Sequence, residues 1–155
     1  MKFKLIVIFF IIFISKNLYS GETSEWLKRE IDIILEAYKN QNLSNENRFL
    51  LIEKTINNNF AGTGIAKFVA GEAWKKSDKN TKKIYIDNFK RHLALNIASM
   101  MQGYSDQTYE LTKSKYDQKN QVTLIDMEIF SDTGSVVVTW RVKKSKDRFF
   151  VIDLI

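Results

Sequence analysis

The spacing of the apolar residues changes once along this chain, near residue 104, and that change constrains the fold more than any other feature. Before it the period is helical. Leu27, Ile31, Ile34 and Tyr38 form a stripe, with Lys28, Arg29, Asp32 and Glu36 off it, which predicts an amphipathic helix of about four turns. Asn40–Asn45 is a polar break, and Ser44 is placed to cap a second helix carrying Phe49, Ile52, Ile56 and Phe60 along one side. Ala61-Gly62-Thr63-Gly64 interrupts the pattern, and a short helix from Ile65 to Trp74 presents Ile65, Phe68 and Val69 together. Ser77, with Asn80 three residues on, caps the longest helix, which runs to about Gly103 with Ile86, Phe89, Leu93, Ile97, Met100, Met101 and Tyr104 near one face.

After residue 104 the period becomes two. Val136, Val138, Trp140 and Val142 alternate with Val137, Thr139, Arg141 and Lys143, so this strand has one buried and one wetter face. Asp132-Thr133-Gly134 is a hairpin turn back to a strand at Gln121–Phe130, whose alternation fails between Leu124 and Ile125 and predicts a bulge there. Tyr109–Thr112 reads as a further short strand. Phe149–Ile155 is apolar on both faces, as a central strand covered on both sides would be. Helices followed by consecutive strands make an α+β domain, a curved antiparallel meander with helices on its concave face.

The first twenty residues stand apart from this domain. Two lysines within Met1–Lys4, the apolar run Leu5–Ile14, and Leu18-Tyr19-Ser20 before Gly21 have the three-part layout of a cleaved secretory signal peptide, with an uncleaved N-terminal anchor as the alternative. An apolar run of this length is about half of what a bilayer-spanning helix needs. Loss of Lys2, Lys4 and Lys16 with this segment lowers the formal net charge from +6 to +3. The basic balance is therefore partly an export signal, and an exported chain has little access to nucleic acid. The domain proper is residues 21–155.

Composition removes several chemistries. The chain has no cysteine and one histidine, His92, which excludes disulfides, thiolate metal sites, a cysteine nucleophile and a multi-histidine metal centre. An exported protein of this kind fits a bacterial envelope better than a eukaryotic secreted domain, which at this size often carries disulfides. No phosphate-binding loop, nucleophile elbow or metal-ligand spacing is present. Asp126, Glu128 and Asp153 alternate with apolar strand residues. An acid on a cavity wall could act as a general base, whereas on the wet face it would only be solvated. The cluster Lys75, Lys76, Lys79, Lys82, Lys83, Lys90 and Arg91 could meet anionic headgroups or an acidic surface, or be a solvated helix face.

Three passages resemble the MlaC family of periplasmic phospholipid carriers, also known as toluene-tolerance or hopanoid-transport auxiliary proteins. The first is Phe60-Ala61, Ile65-Ala66 and Val69-Ala70-Gly71-Glu72-Ala73-Trp74, similar to F-D, an aliphatic residue and L-G-x-x-W. The second is the Ser77 cap with Tyr85, Phe89 and Leu93, closing on Met101-Gln102-Gly103-Tyr104. The third is Trp140-Arg141-Val142, a loop, and Phe149-Phe150-Val151-Ile152-Asp153, similar to Y-R-L, a loop and W-x-V-x-D. Departures are Ala61 for aspartate, Ala70 for leucine, Trp140 for tyrosine and Phe149 for tryptophan. The resemblance covers about two thirds of the chain and implies a further segment beyond Ile155, so the chain reads as C-terminally truncated.

The resemblance implies a non-enzymatic, monomeric periplasmic protein with a cystatin- or NTF2-like curved sheet and helices around an apolar pocket. Phospholipid is the implied cargo, with no cofactor or metal. The implied protein partners are an inner-membrane MCE-domain protein of an ABC transporter and an outer-membrane lipoprotein–porin complex that together maintain outer-membrane lipid asymmetry. Carrying a lipid through water requires a container lined by apolar side chains without unpaired polar groups. The wall candidates are Phe60, Ile65, Val69, Trp74, Phe89, Leu93, Ile97, Met100, Met101, Tyr104, Met127, Ile129, Val138 and Trp140. Two other classes stay open at this point: an NTF2-like isomerase or dehydratase with a buried carboxylate in a small pocket, and an envelope adaptor with a solid core.

Overall fold

The structure, a computed structural model, describes residues 2–102, 104 and 107–155, with side chains from residue 20 onward. Helix α1 (Lys2–Lys39) is followed by α2 (Asn45–Asn59), α3 (Gly62–Ala70), α4 (Glu72–Lys76) and α5 (Lys79–Met101). Four strands complete the chain: β1 (Thr108–Asp117), β2 (Val122–Ser131), β3 (Gly134–Ser145) and β4 (Arg148–Leu154). They form an antiparallel sheet in the order β1-β2-β3-β4, with the helices on one face, the α+β architecture that the change of period predicts. Gly103, expected to end the long helix, lies outside the described residues. Among the described residues no helix is long and apolar enough to cross a membrane.

The helix ends follow local chemistry. Ser44 caps α2, its Oγ accepting from the Asn47 N–H at 3.2 Å. Arg48 then ties α2 back to α1, donating to the Ala37 carbonyl in the last turn of α1, an acceptor a helix end leaves unsatisfied, at 3.2 Å and to the Asn40 carbonyl just beyond it at 2.8 Å. The cap of α5 is Asp78 rather than Ser77. Its Oδ1 accepts from the Asn80 and Thr81 N–H groups at 2.8 and 3.0 Å. A carboxylate at a helix N-terminus is both a stronger acceptor and a favourable charge, and Ser77 instead ends α4 by donating to the Ala73 carbonyl. The helix expected from Ile65 to Trp74 is two helices, starting earlier and broken at Gly71, whose φ of +53° lies in the left-handed region.

Three strand expectations need correction. β1 extends to Asp117, well past Thr112; its second half, Lys113-Ser114-Lys115, is polar because it is an exposed sheet edge, where alternation carries no burial signal. The ladder is continuous through Leu124 and Ile125, which pair with Arg141 and Trp140. The irregularities lie between Leu111 and Lys113 in β1 and beside Arg141 and Val142 in the β3–β4 pairing. β4 is not central: it is an edge of the described sheet, and its outer side bonds to the chain between α2 and α3 through the Ala61 N–H to the Val151 carbonyl, 2.9 Å. The β2–β3 turn at Asp132-Thr133 is a two-residue hairpin closed by the Ser131–Gly134 pair, as expected.

The interior is split. One cluster joins Leu27 of α1 to Ile125, Val142, Phe149 and Val151 of the sheet, with the Trp26 and Phe149 rings 5.4 Å apart and tilted by 31°. A second joins Ile52 and Ile56 of α2 to Ala94 of α5, with Leu93, Ile97, Ala98 and Met101 beside them. Phe60 packs against both.

Candidate functional site

A cavity of about 220 Å³ lies between the two clusters. Its floor is the sheet, with Met127, Ile129, Trp140 and Val151, and its walls are Trp26, Leu27, Ile31, Ile34 and Leu35 of α1, Ile52, Ile56 and Phe60 from α2 and its end, and Ile97 and Met101 of α5. The cavity exists because α1 spans the open side of the sheet while α2 and α5 pack on each other. Ala94 and Ala98 allow that close helix pairing, and no side chain then fills the gap toward the strands.

Several polar residues around the cavity are hydrogen-bonded at its edge, while the indole N–H of Trp140 is buried without a partner among the described residues. Asn59 Nδ2 donates to Glu30 Oε2 at 2.5 Å, joining α2 to α1, and Tyr104 Oη donates to the Gln107 carbonyl at 3.2 Å. Tyr109 Oη donates to Asp32 Oδ1 at 2.5 Å, and Lys28 Nζ lies 2.6 Å from Asp32 Oδ2, joining β1 to α1. Burial pushes the Asp32 carboxyl upward, but the bonds from Lys28 and Tyr109 outweigh it and hold it below the usual carboxylate range. Burial, reinforced by the Asp32 hydrogen bond and charge, pushes the Tyr109 phenol well above its ordinary value, so it remains a donor. What remains facing the cavity is hydrocarbon, thioether and aromatic surface.

Seven of the fourteen wall candidates line this cavity: Phe60, Ile97, Met101, Tyr104, Met127, Ile129 and Trp140. Ile65, Val69, Trp74, Phe89, Leu93, Met100 and Val138 do not. On α5 the physical reason is rotational: the most buried residue is Ala94, with Ala98 beside it, and at ~100° per residue their direction lies roughly 140° around the helix from that of Phe89, Leu93 and Met100. Leu93 consequently packs in the second cluster, and Met100 is 80% exposed. Val69 is 59% exposed because α3 packs outside the cavity, on α5 and β4, and Trp74 lies on α4 beneath Lys82. Val138 is on the inner sheet face, opposite Met127, but beyond the cavity floor. The fourteen candidates include no residue of α1 or α2, which supply most of the helical wall. Their signal was present, since Leu27, Ile31 and Ile34, and Ile52 and Ile56, carry the same helical period.

The acids examined for catalysis point away. Asp126, Glu128 and Asp153 occupy the outer sheet face, where Thr139 Oγ1 donates to Asp126 at 2.7 Å, Ser135 Oγ to Glu128 at 2.6 Å and Arg141 to Asp153 at 3.0 Å. His92 is exposed and its Nε2 lies 3.1 Å from Asn96 Nδ2. Among the described residues no group of three His, Asp or Glu side chains is placed to hold a metal ion. The basic cluster sits on the N-terminal half of α5 and on α4, whereas the cavity touches the C-terminal half of α5.

Comparison with known proteins gives two findings. The model of the MlaC protein family matches residues 28–155. A phospholipid-binding protein from Ralstonia solanacearum, whose structure was solved in complex with a phospholipid, superposes with a TM-score of 0.73 at 17% identity, over 85% of this chain and 76% of that one. At that identity the likeness establishes the fold. No curated protein sequence matches. The family match spans most of the chain, including α2 to α5 and the whole sheet: the protein belongs to the MlaC family.

Proposed function

We propose that the protein is a non-enzymatic phospholipid carrier that holds acyl chain in the cavity between its two clusters and leaves the headgroup at the rim. The observation that carries this reading is a cavity whose wall is almost wholly apolar surface, with the polar side chains Asn59 and Tyr109 turned to Glu30 and Asp32 at its edge. Membership of the MlaC family and the phospholipid complex of the Ralstonia protein support it. The three sheet carboxylates that the isomerase reading would use lie on the other face, the cavity-lining Glu30 is bonded to Asn59, and the cavity argues against a solid-cored adaptor.

At about 220 Å³ the cavity is larger than the ~150 Å³ site that admits benzene but takes only part of a lipid tail. Carrying two whole chains therefore requires α1 to move away from α2 and the sheet, and the rim bonds Glu30–Asn59 and Asp32–Tyr109 are the contacts that such a movement breaks. The lipid-contacting residues in this reading are the wall residues named above. Residues 1–20 act as a cleaved signal peptide that delivers the domain to the periplasm. There it exchanges lipid between an inner-membrane MCE-domain protein of an ABC transporter and an outer-membrane lipoprotein–porin complex.

The test is mass spectrometry of lipid extracted from protein purified from a bacterial periplasm, beside the variant Ile97→Trp, which places an indole in the cavity. Near-stoichiometric glycerophospholipid in the wild type, falling severalfold in the variant at unchanged secondary structure, is the expected result. A folded, lipid-free wild type refutes the reading, as does undiminished lipid in the variant.

A further inference from the structure

The surface farthest in character from the cavity is formed by α3, α4 and the start of α5. Between Gly62 and Arg91 eight Lys and Arg side chains face three acids, a net +5, while the rest of residues 21–155 sums to −2. The positive character of the domain is thus concentrated in one segment. Within it Phe68 is 85% and Val69 59% exposed, in the last turn of a nine-residue helix that is buried at Gly62 and Ala66. Gly62 lies against the Lys90 side chain, and the chain returns through α4 to the Asp78 cap, so Phe68 and Val69 project near the N-terminal end of α5. Trp74 sits at the same end with Lys82 Nζ 5.6 Å from its ring.

We infer that this surface docks on an anionic lipid bilayer, Phe68 and Val69 entering the headgroup region and Lys67, Lys75, Lys76, Lys79 and Lys83 meeting lipid phosphates. Charge alone would fit an acidic protein equally well. The combination favours a membrane: an exposed apolar pair within a lysine-rich segment, with a tryptophan beneath Lys82 in the same segment, matches an interface whose anionic layer overlies hydrocarbon. The surface is covalently close to the cavity wall, because Phe60 in the wall is joined to Phe68 by little more than α3 itself, about 13 Å of helix. The inference concerns where the protein meets a membrane and does not depend on what the cavity holds.

The absence of cysteine makes a site-specific test direct. Phe68→Cys and, as a control on the β2–β3 turn, Asp132→Cys are each labelled with an environment-sensitive dye and mixed with vesicles of phosphatidylcholine alone or with ~30% phosphatidylglycerol. The expected result is a rise in emission of roughly twofold or more at position 68 on the anionic vesicles only, with quenching by doxyl-labelled lipid. The rise is lost in about 0.5 M salt and in the background Lys75→Glu/Lys76→Glu, while the dye at position 132 does not respond. A silent probe at 68, an equal response at 132, or an equal response on phosphatidylcholine overturns the inference. The readout is local, so attachment through the apolar run Leu5–Ile14 would move both probes alike and count against it.

Discussion

Ile125→Ala and Met127→Ala test whether the space above the sheet is real. The two residues are neighbours on the inner face of β2, yet Ile125 is completely buried away from the cavity while Met127 forms its floor. Truncating Ile125 removes three carbons, worth about 2.4 kcal/mol at ~0.8 kcal/mol per buried methylene. It also leaves a void of roughly 70 Å³, which at ~24 cal/mol per Å³ adds about 1.7 kcal/mol, for a total near 4 kcal/mol. Truncating Met127 loses a comparable transfer energy but only widens a space that already exists, so the void contribution is largely absent and the cost is about 2 kcal/mol. With a urea slope of about 2 kcal/mol per molar, the unfolding midpoint should fall by about 2 M for Ile125→Ala and about 1 M for Met127→Ala, with the slope unchanged. Equal shifts, or a larger one for Met127→Ala, would show that Met127 faces solid core and would refute the cavity.

Three further perturbations probe the frame around it. Tyr109→Phe removes the bond to Asp32 across the rim and should cost about 1 kcal/mol; in a spectrophotometric titration it should also delete the last tyrosine to ionise. Because folding raises the Tyr109 phenol, its contribution is complete below pH ~10 and is lost as pH rises, so the wild type should lose stability in alkali more steeply than the variant. The Asp78 carboxyl has the opposite sign: hydrogen bonds from Thr81 hold it low, so its contribution is present above pH ~4 and is lost on acidification. Asp78→Asn, which keeps a capping oxygen, should flatten the acid limb of the thermal-midpoint profile, and an unchanged limb would dismiss the assignment. Gly71→Ala places a side chain at φ +53° between α3 and α4 and should destabilise by about 1 kcal/mol, read as a lower melting temperature.

The parts of this structure that were legible in the sequence are those whose cause is local. The Ser44 cap and the Asp132-Thr133 hairpin each depend on a few adjacent residues, and the structure contains both, whereas the alternation expected of β3 holds at Val142 but not at Val136, which is 64% exposed. Where two local solutions competed, the sequence could not choose. Ser77 and Asp78 are both competent caps, and the carboxylate prevails because it accepts from two N–H groups in the positive end of the helix. The second half of β1 was invisible because Lys113, Ser114 and Lys115 sit on an exposed edge, where the ladder makes the strand without any apolar pattern.

The sequence by itself determined the order of helices and strands, the apolar stripes and the chemistry absent from a cysteine-free chain with one histidine. Only the tertiary structure decided which apolar residues become core and which become cavity wall. Hydrophobicity specifies that a side chain leaves water but not what it meets. Ile56 and Ile97 look like ordinary core positions, and they border a cavity because α2 and α5 close on Ala94 and Ala98 while α1 stands across the sheet. For the same reason Met100 and Phe68, as apolar as any wall residue, are left in water: each lies on the side of its helix that no other element covers.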